Sequence, residues 1–183
     1  MDHAKRPAER VPIAFGEPLR SPSVVKALSD APVSSLVVQV SRFHRAMAGQ
    51  LLRPLGLHPS QELVLIHLWE SGPQRQIDLA RQLGADAATM TRTIKRLEAG
   101  GYVRCEPSPT DGRVTMVEPT TASWALRQEV ERVWQQLEQA MTDGFSPEER
   151  DQAVVILERI RAGLERVVEQ GRDGTETPGS DIL

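Results

Sequence analysis

The chain has 183 residues, 39% of them hydrophobic, enough for one domain or a compact pair of subdomains with a core of its own. Lys and Arg number 22 against 25 Asp and Glu, a formal net charge of -3, so any contact with nucleic acid must come from a local patch rather than a global basic field. A single cysteine, Cys105, excludes an internal disulfide and a multi-thiolate metal site, and fits a reducing compartment.

Met1 to Pro12 carries no apolar run that would serve as a signal-peptide core, and the longest such stretch, Leu63 to Trp69, is too short to span a bilayer. A cytoplasmic protein with no membrane partner is expected. Residues 1–32 contain Pro7, Pro12, Pro18, Pro22 and Pro32, a spacing that interrupts any long helix. They read as a Pro-rich arm, either a disordered tail or a strap that packs Val11, Ile13, Phe15 and Leu19 on a partner subunit.

From there the period is helical. Leu36, Val40, Phe43, Met47 and Leu51 form one stripe that stops near Pro54, which places a first helix within residues 33–58. Leu63, Leu65, Ile66, Leu68 and Trp69 predict a second helix, opened by Pro59 and Ser60 and ended by Gly72-Pro73. A third holds Ile77, Leu79, Ala80 and Leu83 and ends at Gly84. The fourth begins at Asp86, whose carboxylate caps the first turn, and closes at Gly100-Gly101 with Met90, Ile94 and Leu97 inward.

The pattern then alternates. Val103 and Cys105 interleave with Arg104 and Glu106, residues 107–112 make a turn, and Val114, Met116 and Glu118 continue, which predicts a two-stranded hairpin. Thr120 or Thr121 caps a long helix bearing Leu126, Val130, Val133, Leu137 and Met141. Ser146-Pro147-Glu148-Glu149 opens the last helix with a capping box, and Ala153, Ile156, Leu157, Ile160, Leu164 and Val167 form its apolar face. Gly171 to Leu183 reads as a disordered tail. The fold class expected is mainly α with a small β-hairpin wing.

Helix, turn, helix, hairpin is the order of a winged helix-turn-helix, here residues 59–119, in which the second helix of the pair enters the DNA major groove. On the helix from Asp86 to Gly100 the outward set is Ala88, Thr89, Arg92, Lys95 and Arg96. The small residues permit close approach, and the planar fork of Arg92 matches the two acceptors of guanine. A solvated basic helix face is the plainer reading of Arg92, Lys95 and Arg96; their place in the pair, just before a hairpin carrying Arg113, favours DNA.

In its segments Leu79-Ala-Arg-Gln-Leu-Gly84, Ala88 to Glu98, Gly101-Tyr-Val-Arg104 and Asp111-Gly-Arg113, the chain resembles the MarR family of winged-helix transcription regulators, including its SlyA branch, over residues 33 to about 170. The resemblance implies that Arg113 inserts into the minor groove, that Asp111 orients the wing, and that Ala88, Thr89 and Arg92 read the major groove. It implies a homodimer formed by the first helix and the helices of residues 120–170, hence a palindromic operator with half-sites about 10–10.5 base pairs apart. Asp111-Gly112 as a mere turn pair, and Arg113 as a strand-edge charge, stay open as readings of those residues alone. Pro119 and Ser123 depart from the family pattern, which usually has leucine and often glycine there.

Family members often lose DNA affinity through a small aromatic acid, a reactive cysteine or a metal. Cys105 sits on a wing strand facing the core, and His3, His44, His58 and His67 are scattered, so neither a thiol switch nor a metal site is expected. A small aromatic acid effector remains, with His44, Met47, Trp69 and Trp124 as the candidate lining, each also readable as core or interface. No cofactor is expected, and no paired nucleophile and base, phosphate loop or metal motif marks an enzyme. A winged-helix protein-interaction module without DNA binding is the alternative to a ligand-responsive repressor.

Overall fold

The computed structural model describes residues 30–108 and 110–173, with side chains through Gln170. Residues 174–183 and nearly all of the Pro-rich arm lie outside the described residues, whereas Gly171 to Asp173, read as the start of the tail, continue the last helix. The chain divides into two units, one ending at His44 and one starting at Arg45.

Helix α1 runs Pro32–Leu52 and is followed by a 3-10 turn at Arg53–Leu55 that closes on Gly56. Helix α2, Gln61–Ser71, starts differently from expectation. Ser60 takes a left-handed backbone, φ 85°, and its side chain caps nothing. Gln61 Oε1 instead accepts the His58 N–H at 2.7 Å, so the turn rather than a serine cap sets the helix start.

A two-residue strand β1, Gln74–Arg75, leads into helix α3, Gln76–Gln82, and then helix α4, Ala87–Ala99. Strands β2, Val103–Pro107, and β3, Thr115–Pro119, pair antiparallel with Cys105 opposite Val117. The sheet has three strands in the order β1-β3-β2, one more than the hairpin read from sequence. Gln74 and Arg75 have no alternating apolar pattern of their own, so only the partner strand reveals them. Arg104 bridges Glu106 at 2.9 Å and its cross-strand partner Glu118 at 2.7 Å, which matches its charge within the sheet.

The single long helix expected after Pro119 is two. Thr120 caps α5, Thr121–Ala125, and α6 follows at Arg127–Met141 with the break at Leu126. The cause is Ser123. Its hydroxyl donates back to the Thr120 carbonyl at 2.8 Å, a competition that bends helices, and the Leu126 N–H tightens to the Ser123 carbonyl at 3.0 Å. The same Ser123 Oγ accepts the indole N–H of Trp69 at 3.2 Å, a tie between α5 and α2. The departure from glycine at this position therefore has a structural use. Ser123→Ala should cost about 1–3 kcal/mol, because the buried indole N–H loses its partner; urea unfolding of the two proteins checks this, with Ser123→Thr retaining the larger share.

Helix α7, Pro147–Asp173, opens as read from sequence. Ser146 N–H donates to Glu149 Oε2 at 2.8 Å and Glu149 N–H donates to Ser146 Oγ at 3.2 Å. In the unit from Arg45 the core is built from Leu52, Leu57, Leu65, Leu68, Leu79, Ile94, Leu97, Val103, Val117, Val130 and Leu137, drawn from α1 to α4, β2, β3, α6 and the turn before α2. None of the large apolar side chains named on α7 joins it: Val154 to Leu157, Leu164, Val167 and Val168 are 53–67% exposed.

Candidate nucleic-acid interface

The geometry of α4 follows from its first turn. Asp86 caps it with both oxygens: Oδ1 accepts the Thr89 N–H and Oδ2 the Thr89 hydroxyl, each at 2.7 Å. Thr89 Oγ1 in turn accepts from Arg92 Nη2 at 3.2 Å. These side-chain bonds to Thr89 hold the Asp86 carboxyl below its ordinary range, so the cap is ionised at neutral pH and its stabilisation fades only when pH falls through that lowered value.

On the next turn Thr91 donates its hydroxyl to the Ala87 carbonyl at 2.7 Å and accepts from Gln76 Nε2 at 2.8 Å. The first residue of α3 is thereby bonded to the first half of α4. At the far end Gly101, φ 74°, turns the chain into β2, and its carbonyl takes the Thr120 hydroxyl at 2.7 Å.

Met90, Ile94 and Leu97 are buried, which leaves Ala88, Arg92, Lys95 and Arg96 exposed and Thr89 half-buried. One helix thus carries an apolar face for anchoring and a basic face for a polyanion. The wing is closed by Ser108 N–H to the Val114 carbonyl at 2.7 Å, and Asp111 Oδ1 accepts the Arg113 N–H at 3.0 Å. Asp111 therefore acts on the backbone at Arg113, and both side chains are exposed. Arg113, Val114 and Thr115 form one wall of a cleft of about 340 Å³ whose other side includes Ala87 and Met90 of α4. The wing arginine and the first turn of α4 border the same cleft.

Of the four candidate effector residues, Trp69 and Trp124 come together, with ring centroids 6.3 Å apart and planes at 38°. Met47 is half-buried against the core and His44 is half-buried in the unit that it ends. The cavity beside Trp69 is lined instead by Trp134, Glu70, Arg127 and Glu131, which the sequence reading did not single out. Trp134 follows the buried Val133 directly, so the helical period alone gave it no role. Cys105 is half-buried, and burial with the nearby Glu98 carboxylate pushes its thiol up to about 11, leaving little thiolate at neutral pH. Among the described residues no group of His, Cys, Asp or Glu is placed to hold a metal, and no helix is long and apolar enough to cross a membrane.

Residues 57–115, the segment from just before α2 to the first residue of β3, match the family model for the MarR family. Three solved structures share the fold. A cysteine-to-serine mutant of MarR from E. coli, complexed with operator DNA, is 24% identical with a TM-score of 0.67, the match covering 73% of this chain and 96% of that one. BpsR of Bordetella bronchiseptica, whose DNA binding is regulated by 6-hydroxynicotinic acid, is 27% identical at TM-score 0.65, over 70% and 92%. A probable transcriptional regulator from Pseudomonas aeruginosa is 26% identical at TM-score 0.65, over 70% and 96%. With the capped basic helix, the three-stranded wing and these matches together, the segment of residues 57–115 is similar to the MarR family, and the described chain has the winged-helix fold of that family's transcription regulators.

Proposed function

We propose that the protein is a homodimeric, cytoplasmic repressor that binds a palindromic operator, occludes transcription, and releases DNA when a small aromatic effector binds. The observation that carries the DNA part is the two-sided helix α4: Met90, Ile94 and Leu97 anchor it, and Ala88, Arg92, Lys95 and Arg96 are left exposed beside the wing that bears Arg113. In this reading Ala88, Thr89 and Arg92 meet base edges, Lys95 and Arg96 meet phosphates, and Arg113, oriented through Asp111, enters the minor groove. Support for the dimer is the apolar surface left uncovered on α1 and α7, where Leu36, Val40, Phe43, Ile156, Leu157, Leu164 and Val167 are all exposed. A two-fold dimer then implies a two-fold operator. Nothing in the side-chain arrangement described above pairs a nucleophile with a base, and catalysis has no part in the proposal.

The test is binding to random duplex DNA over a salt series. Lys95 and Arg96 at phosphates and Arg113 in the minor groove, counted in both protomers, predict a slope of log affinity against log salt on the order of -5. A flat salt response would remove the DNA reading and leave a protein-interaction module. Selection of tight-binding duplexes from a random pool should then return a palindrome with half-sites about 10–10.5 base pairs apart.

A further inference from the structure

The cavity between α2 and α6 has a charge that the effector must match. It measures about 300 Å³ and is lined by Ile66, Trp69 and Glu70 from α2 and by Arg127, Glu131 and Trp134 from α6. Trp69 is 7% exposed, its indole N–H is bonded to Ser123, and what reaches the cavity is part of its ring. Trp134 supplies a second aromatic wall, 37% exposed. Arg127 is the single cation among the lining residues, and it is already engaged: its Nε lies 2.9 Å from Glu131 Oε1 and its guanidinium 5.8 Å from the Trp124 ring centroid. Glu70 is exposed and has no ion pair among the described residues.

Two tryptophans, two carboxylates and one neutralised guanidinium make an aromatic slot of net negative charge. An aromatic acid entering it would meet Glu70 and would have to break the Arg127–Glu131 pair to find a partner. A cation would meet a carboxylate that has no ion pair among the described residues, beside two tryptophans that line the same cavity. We propose that this cavity binds a small planar aromatic cation, an amidinium or ammonium, with the ring against Trp69 and Trp134 and the charge on Glu70. This deepens the effector reading above and rests on it, and it reverses the charge expected of the effector from sequence.

Benzamidine, benzamide and benzoate have one shape and are cationic, neutral and anionic, so they isolate the charge preference. Binding is read on the full-length free protein by tryptophan fluorescence and calorimetry, with no DNA present. Benzamidine should bind about tenfold or more tighter than benzoate, with benzamide between them. Glu70→Gln should weaken benzamidine about fivefold and leave benzamide unchanged. Adding Glu131→Gln frees Arg127 and should turn the preference toward benzoate, a reversal that mere loosening of the fold would not produce. Both positions are exposed, so the variants keep the core. Benzoate binding as tightly as benzamidine, a Glu70→Gln variant with undiminished preference, or no saturable binding of any of the three overturns the proposal. A separate DNA titration with benzamidine present distinguishes the two readings: bound cation with unchanged DNA affinity leaves the cavity assigned and removes the effector role.

Discussion

Arg92→Ala should lower operator affinity by about 1–3 kcal/mol per half-site and relax discrimination at a single base-pair position, whereas Arg113→Ala should weaken operator and scrambled duplex alike. The difference follows from where the two arginines sit. Arg92 lies one turn into α4, and its Nη2 bonds Thr89, which is itself fixed by Asp86, so the fork leaves a rigid helix face with its direction already restricted. Arg113 leaves the wing, where Asp111 holds only its backbone N–H, and a guanidinium in a minor groove responds to groove width and phosphate potential more than to base identity. The Arg113 variant should therefore flatten the salt dependence by about two units, about one per protomer, and lose preference for A·T pairs under the wing. Titrations of both variants against operator and scrambled duplexes at several salt concentrations check this. Unchanged affinity in both would remove the DNA interface, and equal losses of specificity would remove the division of labour.

What could be read in the sequence was local. Asp86 three residues before Thr89, and Ser146 three before Glu149, define caps whose partners are within one turn, and both form as expected. The inward set Met90, Ile94 and Leu97 is a period of a single helix and needs no tertiary knowledge. What escaped depends on residues far apart in the chain. Strand β1 exists only because β3 lies beside it. The break at Leu126 comes from a hydroxyl that also serves Trp69, 54 residues away. The cavity combines Glu70 with Arg127 and Glu131, and its charge balance emerges only once α2 and α6 pack. The missed serine cap has the opposite cause: Ser60 is a good capping residue, but its left-handed backbone takes it out of the geometry that capping needs.

Leu157→Glu with Leu164→Glu should convert a dimer into a monomer and abolish tight operator binding. The two residues lie seven apart on α7, hence on one face, and are 53% and 59% exposed in the single chain. If they remained in water, changing both would be nearly neutral. If a second copy covers them, two-fold symmetry counts each residue twice, and four leucines at about 1.5–3 kcal/mol each remove about 6–12 kcal/mol of association free energy, enough to take a nanomolar dimer to weak or negligible association. The core of Leu65, Leu68, Leu97, Val117 and Leu137 does not include α7, so the winged-helix unit should keep its fold and a residual half-site affinity. Val155, equally exposed but almost opposite Leu157 around the helix, provides the control: Val155→Glu should remain dimeric. Sedimentation at micromolar concentration decides the matter. A wild-type monomer, or a double variant that still sediments as a dimer, would show that the apolar face of α7 is covered by something other than a second copy of the chain.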